Sequence, residues 1–195
     1  YEKALGIKPD FAEAHYNLGI THQGLNQLDT AIKHYEQALE IKPDYTEAFN
    51  NLGSALKELG QLDTALKSYE KVLAVKPDFA EAHYNLGVTL QGLDQPDNAV
   101  KSYEKALAIK PDFAEVHYNL GITLQELGQL DAAVESYEQA LAIKPDYAEA
   151  HNNLGVTFQE LGQLDAALKS YEKALAIKPD YAEAHNNLGN SFKEL

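Results

Sequence analysis

The sequence predicts an all-α protein in which antiparallel helix pairs stack in a row as a solenoid. The triplet Lys-Pro-Asp recurs every 34 residues without insertion, with its proline at Pro9, Pro43, Pro77, Pro111, Pro145 and Pro179. Between these prolines, apolar residues recur at helical spacing in two runs, which predicts two helices per repeat. A single pair is too small to bury its own apolar face, so neighbouring pairs must stack on each other.

The phase of the repeat divides the chain into units. Five complete units are expected at residues 12–45, 46–79, 80–113, 114–147 and 148–181. Residues 1–11 would be the end of a preceding repeat, and residues 182–195 the first helix of a further one. Because the chain starts and stops inside a repeat, and begins with Tyr1 rather than Met, we expect it to be a piece of a longer protein.

The first helix of each unit has signals at both ends. In unit 46–79, Asp44 and Glu47 are spaced as a capping box, and Leu52 and Leu56 continue the apolar period. Gly60 stands where a helix ends in the left-handed region, a conformation that Gly, Asn and Asp tolerate. The equivalent residues are Asn26, Asp94, Gly128 and Gly162, so one turn geometry is expected throughout.

The second helix of the same unit is expected from residue 62 to the residue before Pro77, which cannot continue it. Pro96 falls at an equivalent start and is tolerated there, because the first N–H of a helix has no intrahelical acceptor. A stripe of core tyrosines is predicted at Tyr1, Tyr35, Tyr69, Tyr103, Tyr137 and Tyr171. The serines before four of them, Ser68, Ser102, Ser136 and Ser170, are expected on the solvent side.

The run His15-x-x-Leu18-Gly19, followed by Ala31-x-x-x-Tyr35 and Pro43, resembles the tetratricopeptide repeat family over the whole chain. Small residues recur at Gly19, Gly53, Gly87, Gly121, Gly155 and Gly189, and at Ala31, Ala65, Ala99, Ala133 and Ala167. The resemblance implies a right-handed superhelix whose concave wall is made of the first helices, with partners held in that groove. Within the family, residues 180–189 are similar to the repeats of O-linked N-acetylglucosamine transferases and their bacterial relatives.

Each first helix carries one asparagine at the same place, and we call these the ladder asparagines: Asn17, Asn51, Asn85, Asn119, Asn153 and Asn187. A carboxamide can bond both the C=O and the N–H of one residue in an extended peptide. Repeats about 10 Å apart match roughly three residues of an extended strand, so the sequence predicts a groove that binds a peptide through its backbone. The other interpretation is that each asparagine bonds a neighbouring helix or loop.

The residues directly before the ladder asparagines form a second set, which we call the flanking residues: Tyr16, Asn50, Tyr84, Tyr118, Asn152 and Asn186. Tyrosine and asparagine alternate irregularly in this set. Such side chains would either provide pockets that select the side chains of a bound peptide or pack against the next repeat. The sequence leaves both interpretations open.

Composition narrows the possible partners. The chain has 16 lysines, no arginine and 30 acidic residues, giving a formal charge of -14, which argues against nucleic acid and favours cationic partners. One glutamate stands near the start of each first helix, where it fits either a capping box or a row of acidic side chains that attracts a basic ligand. These residues are Glu13, Glu47, Glu81, Glu115, Glu149 and Glu183. No apolar run approaches the roughly 18 residues that span a bilayer, so membrane insertion is not expected. The sequence does not name a compartment, and a cytoplasmic location is favoured.

Catalysis and metal binding are not predicted. An active site needs unlike groups that converge on one point, whereas this chain repeats like groups in register. The recurring histidines, His15, His83, His117, His151 and His185, stand one repeat apart, and His34 is expected to stand alone. We therefore expect a scaffold that is not an enzyme and has neither cofactor nor metal.

The two ends predict self-association. Tyr1 and Leu5 belong to a second helix without its first, while Leu188, Phe192 and Leu195 belong to a first helix without its second. Copies could therefore join head to tail. Three functional hypotheses result: a scaffold for protein or peptide partners, the substrate-recruiting arm of a glycosyltransferase whose catalytic domain lies outside this chain, and a self-association module.

Overall fold

The computed structural model describes residues 1–194, without the side chains of residues 2, 4 and 194. All regular elements in this range are α-helices, which confirms the predicted all-α fold of consecutive helix pairs. In chain order they are α1 Glu2–Ile7, α2 Ala12–Gly24, α3 Leu28–Ile41, α4 Thr46–Glu58, α5 Leu62–Val75, α6 Ala80–Gly92, α7 Pro96–Ile109, α8 Ala114–Glu126, α9 Leu130–Ile143, α10 Ala148–Glu160, α11 Leu164–Ile177 and α12 Ala182–Glu194. Within residues 1–194, no helix has the length and hydropathy needed to cross a bilayer.

The chain forms two compact units, Tyr1–Gln95 and Pro96–Leu195. In the first unit, α3 packs between α2 and α4, and α5 between α4 and α6. In the second unit, α9 packs between α8 and α10, and α11 between α10 and α12. Successive first helices within a unit also touch each other, whereas α3 and α5, and likewise α9 and α11, make no close backbone contact. The first helices of a unit therefore lie side by side, and we call their shared surface the first-helix face.

The core of each pair is a glycine of the first helix facing a tyrosine of the second. Tyr35, Tyr69, Tyr103, Tyr137 and Tyr171 are completely buried, as predicted. A Cβ atom added to Gly53 would lie 2.7 Å from a ring carbon of Tyr69, and the same crowding recurs at Gly121 and Gly155. Only a residue without a side chain lets the two helices approach this closely.

Tyr1 is the exception in the predicted tyrosine stripe. Its side chain is 62% exposed, so it does not lie in the core. Tyr1 precedes α1 rather than standing in the middle of a long second helix. It is therefore not packed as its five equivalents are.

The prediction that the repeated serines face solvent was wrong. Ser68, Ser102, Ser136 and Ser170 are all buried. Each hydroxyl donates a hydrogen bond to the carbonyl four residues earlier, as from Ser68 to Thr64 at 3.1 Å. Second helices such as α5 and α11 are covered by the first helices on both sides, which buries a wider stripe than one helix pair would.

The capping boxes predicted at the first helices are not formed at α2, α4, α6, α8 and α10. The N-cap of α4 is Tyr45, one residue later than Asp44, and no side chain caps the helix. Its carbonyl instead accepts from the backbone N–H of Ala48 at 3.0 Å and of Phe49 at 3.1 Å. Glu47 thus stands in the first turn without a reciprocal bond, where its charge complements the helix dipole.

The turns between the helices of a pair follow the prediction. Asn26 and Asp94 have φ values of 57° and 58°, and Gly60, Gly128 and Gly162 have φ values of 71° to 79°. The backbone N–H of Gln61 donates to the Leu56 carbonyl at 2.8 Å, which closes the end of α4 as left-handed caps do. Pro96 is the first residue of α7, also as predicted.

The loops between repeats contain a contact that sequence reasoning missed. The lysine of each Lys-Pro-Asp triplet places its ammonium over the aromatic ring three residues later, as Lys42 does over Tyr45 at 4.4 Å from the ring centroid. The same contact occurs for Lys8 over Phe11, Lys76 over Phe79, Lys110 over Phe113, Lys144 over Tyr147 and Lys178 over Tyr181. A cation over a ring face is attracted by the ring quadrupole, so these lysines are held at the loops.

Candidate functional site

The ladder asparagines are all half-buried on first helices, and four of them donate a hydrogen bond to the repeat before: Asn51, Asn85, Asn153 and Asn187. Asn51 donates to the Tyr16 hydroxyl at 3.2 Å, and Asn85 donates to the side-chain oxygen of Asn50 at 3.4 Å. In the second unit, Asn153 donates to Tyr118 at 3.2 Å and Asn187 to Asn152 at 3.1 Å. The acceptor is in each case the flanking residue of the repeat before.

This bond uses only part of each carboxamide, which has two N–H donors and an oxygen acceptor. For Asn51, Asn85 and Asn187, the bond to the preceding repeat occupies one donor. Asn153 is more engaged, because its oxygen also accepts from Asn152 at 3.3 Å. A role in joining repeats therefore leaves hydrogen-bonding capacity on the same side chains.

The flanking residues are placed unequally. Tyr16, Asn50, Tyr84 and Tyr118 are half-buried, and Asn186 is exposed. Asn152 is fully buried between repeats, so it cannot touch a partner unless the side chain moves. The set does not form one uniform row of accessible side chains.

Tyr16 and Tyr118 are packed residues with a polar tip. The Tyr16 ring lies 4.9 Å from the ring of Tyr45, and the Tyr118 ring lies 4.7 Å from that of Tyr147, between centroids. Burial raises the pKa of both hydroxyls, and the carboxylates of Glu47 and Glu149 respectively raise it further. Both hydroxyls therefore stay protonated at neutral pH and accept the asparagine bond as neutral groups.

Two small cavities open where ladder asparagines meet the preceding repeat. The first, about 440 Å³, is lined by Ile20, Gln23, Gly24, Tyr35, Asn51 and Glu58. The second, about 410 Å³, is lined by Val156, Gln159, Glu160, Tyr171, Asn187 and Asn190. Both cavities combine one aliphatic residue, a core tyrosine, a glutamine, a ladder asparagine and one carboxylate.

A glutamine relay, which joins a core tyrosine to a glutamate of the next repeat, was missed by sequence reasoning. The buried Tyr35 hydroxyl donates to Gln23 at 2.8 Å, and Gln23 donates to Glu58 of the next repeat at 2.6 Å. Tyr137, Gln125 and Glu160 repeat the arrangement at 3.1 Å and 2.8 Å, at the contact of α8 and α10, one repeat before the second cavity. The signal available in the sequence was the recurrence of glutamine at residues 23, 91, 125 and 159, with Lys57 and Lys193 as the exceptions.

The exception at Lys57 leaves a buried hydroxyl unpaired. The hydroxyl of Tyr69 has no hydrogen-bond partner, although the ring is completely buried. Burial lowers the pKa of the Lys57 ammonium, and the nearby carboxylate of Glu58 raises it. A lysine cannot accept a hydrogen bond, so Lys57 cannot do for Tyr69 what Gln23 does for Tyr35.

The histidines fill structural positions. His83 and His151 are buried, and the Nε2–H of each donates to the carbonyl of the proline six residues earlier, at 2.9 Å and 3.0 Å. His34 is not alone, contrary to expectation: its ring stacks on His22, and its Nδ1 lies 3.2 Å from that of His15. Among the residues described, no group of three or more His, Cys, Asp or Glu could hold a metal ion.

Of the residues predicted for self-association, Tyr1 and Leu5 lie at or before the end of α1, and Leu188 and Phe192 lie on α12. Tyr1 and Phe192 are 62% and 58% exposed. Leu5 and Leu188 are partly buried. Leu195 lies outside the described residues.

The chain belongs to the tetratricopeptide repeat family. A family model described as TPR repeat matches residues 53–94, 95–128, 123–162 and 158–195. Two models described as Tetratricopeptide repeat match residues 12–45 and 34–67. The sequence has no significant match among curated proteins.

Solved structures share the fold. The MamA protein is 27% identical, with a TM-score of 0.78 over 88% of this chain and 94% of the MamA chain. YrrB, described as a TPR protein with an unusual peptide-binding site, is 26% identical, with a TM-score of 0.78 over 100% of this chain and 97% of YrrB. TTC0263, a thermophilic TPR protein of Thermus thermophilus, is 26% identical, with a TM-score of 0.68 over 94% of this chain and all of TTC0263.

Proposed function

We propose that the protein is an interaction scaffold that holds an extended peptide segment of a partner on its first-helix face. The observation that carries this proposal is the position of the ladder asparagines. They are half-buried on that face, and Asn51 and Asn187 line cavities there. The bonds of Asn51, Asn85 and Asn187 to the preceding repeat each use one of the two donors of the carboxamide. Membership of the tetratricopeptide repeat family and the likeness to YrrB support it.

Recognition through the backbone would make affinity depend on length more than on sequence. Neighbouring first helices lie about 10 Å apart, and about three residues of an extended strand cover that distance. Each asparagine bond contributes about 0.5–1.5 kcal/mol net, so several repeats must act together. The chain itself would perform no chemistry, because its polar groups recur in register and do not converge.

The test is a double substitution in the first unit. The probe is a neutral twelve-residue peptide made of four Gln-Ser-Thr repeats. Asn51→Ala with Asn85→Ala should lower the affinity for this peptide about tenfold, because two contacts to the peptide backbone are lost. Fluorescence anisotropy of the labelled peptide measures this. Unchanged affinity in a variant that keeps its helicity would contradict the proposal.

A matched control separates binding from the joining of repeats. Tyr16→Phe removes the acceptor of the Asn51 bond but leaves the asparagine in place. It should lower the free energy of unfolding by about 0.5–1.5 kcal/mol and leave peptide affinity intact. If Tyr16→Phe lost binding as strongly as Asn51→Ala, the asparagine would be acting through the structure alone.

Head-to-tail self-association is a second candidate, favoured by the exposed apolar side chains of Tyr1 and Phe192. Light scattering at increasing concentration should detect growing species, and Phe192→Ser should reduce them. A monomer at all concentrations removes this candidate. The third hypothesis, the recruiting arm of a glycosyltransferase, is tested by whether the gene for this chain also encodes a glycosyltransferase catalytic domain.

A further inference from the structure

Charge is unevenly distributed between the two kinds of helix. The first helices α2, α4, α6, α8, α10 and α12 contain ten glutamates and two lysines. The glutamates are Glu13, Glu47, Glu58, Glu81, Glu115, Glu126, Glu149, Glu160, Glu183 and Glu194, and the lysines are Lys57 and Lys193. All other lysines belong to second helices or to the loops that follow them, so first helices bear a large share of the net negative charge.

The loop lysines are not free to neutralise this face. Each of the six lies over an aromatic ring at the start of the next first helix, as Lys110 does over Phe113 at 4.3 Å. Lys178 also approaches Glu149 at 3.6 Å, at the beginning of a first helix rather than at the cavities near its end. The cavity carboxylates, Glu58 and Glu160, form no ion pair of 4.0 Å or less with a described lysine.

Glu58 and Glu160 are held in place by neutral groups. One oxygen of Glu58 accepts from Gln23 at 2.6 Å and from Ser54 at 3.2 Å. One oxygen of Glu160 accepts from Gln125 at 2.8 Å. The second oxygen of each carboxylate has no hydrogen bond to a described residue, so an open acceptor remains at each cavity. The nearest cation to Glu58 is its chain neighbour Lys57, whose ammonium pKa the Glu58 carboxylate raises.

Resting on the proposed function, we propose that these two cavities take lysine or arginine side chains of the bound peptide. The aliphatic stem would pack against Ile20 in the first cavity and Val156 in the second, while the cation would meet the open oxygen of Glu58 or Glu160. The ladder asparagine that lines the same cavity, Asn51 on the helix of Glu58 or Asn187 on the helix next to that of Glu160, would hold the backbone beside that side chain. The partner segment is therefore basic as well as extended.

Three peptides of equal length test the charge requirement. They repeat Lys-Ser-Thr, Gln-Ser-Thr and Glu-Ser-Thr, which keeps one variable side chain per repeat of the protein. The lysine peptide should bind most tightly and the glutamate peptide most weakly, and the difference should shrink as salt rises from about 50 to about 300 mM. Equal affinities of the lysine and glutamine peptides would overturn the inference.

Matched variants separate the cavities from the overall charge. Glu58→Gln with Glu160→Gln should lower affinity for the lysine peptide about threefold to fivefold per cavity, as for a solvent-exposed ion pair, with little effect on the glutamine peptide. Glu70→Gln with Glu172→Gln makes the same change of net charge on exposed sites of second helices. An equal loss in both double variants would mean that charge acts only at long range.

The same measurements distinguish failure of this inference from failure of the proposed function. If the glutamine peptide binds and loses affinity on Asn51→Ala with Asn85→Ala, backbone binding stands whatever the lysine peptide does. The opposite result is that affinity for the lysine peptide falls in Glu58→Gln but is unchanged in Asn51→Ala with Asn85→Ala. The cavities would then bind cations without the ladder asparagines, and the proposed function would fail.

Discussion

At the scale of single residues, one polar side chain serves two purposes. Asn51 and Asn85 each donate one hydrogen bond to the preceding first helix, which leaves the second donor of the carboxamide for the proposed peptide contact. The relay of Tyr35, Gln23 and Glu58 does the same, since it satisfies a buried hydroxyl and fixes a carboxylate at a cavity. Lys57 breaks this pattern, because Tyr69 loses its acceptor.

The unpaired hydroxyl of Tyr69 gives a prediction about stability. Lys57→Gln should restore the acceptor that Gln23 provides in the first repeat and raise the free energy of unfolding by about 0.5–1.5 kcal/mol. Urea denaturation followed by circular dichroism measures the change. A destabilised Lys57→Gln variant would show that the lysine has a structural partner that outweighs the tyrosine.

A pair of tyrosine substitutions checks the same point. Tyr69→Phe removes an unpaired hydroxyl and should be nearly neutral, whereas Tyr137→Phe removes the donor to Gln125 and should cost about 0.5–1.5 kcal/mol. Both free energies of unfolding come from the same urea titrations. Equal costs at the two positions would contradict the role assigned to the relay.

At the scale of the helix pair, packing depends on the glycine that faces the core tyrosine. Gly53→Ala would place a Cβ atom 2.7 Å from the Tyr69 ring and should destabilise the protein by about 1–3 kcal/mol. Gly24→Ala is the control, because a Cβ there meets nothing within 4 Å and alanine favours the helix. Thermal melts should show the two variants moving in opposite directions, and a tolerated Gly53→Ala would be inconsistent with the close approach.

Elements were predictable from local signals, and contacts between repeats were not. Pro96, Gly60 and Asn26 act through their own backbone preferences, so helix ends could be located from sequence. The predicted capping box was wrong, because the helix begins one residue later than its spacing requires. Tyr45 is the N-cap of α4, so Asp44 lies outside the helix. Burial of Ser68 and the bond from Gln23 to Glu58 depend on how the next repeat packs, which helical period alone does not contain.

At the scale of the whole molecule, the buried tyrosines link stability to pH. Burial raises the pKa of Tyr35, Tyr69 and Tyr137 well above the ordinary 10.0. The neutral form is favoured in the folded state, so this stabilisation is complete below about pH 10 and is lost as the pH rises towards the folded-state pKa values. Ultraviolet absorbance and circular dichroism should therefore detect late tyrosine ionisation together with loss of helix, while full ionisation in a folded protein would contradict the burial.

The central claim is that ladder asparagines touch the backbone of a bound peptide, and their side-chain amide signals report on this most directly. The measurement is an NMR titration of isotope-labelled protein with the neutral glutamine peptide, with Nδ2 signals assigned by single Asn→Ala substitutions. We predict that the signals of Asn51 and Asn85 shift with the peptide, while that of Asn98 on the second helix α7 does not. Bound peptide with unmoved ladder signals would contradict the account.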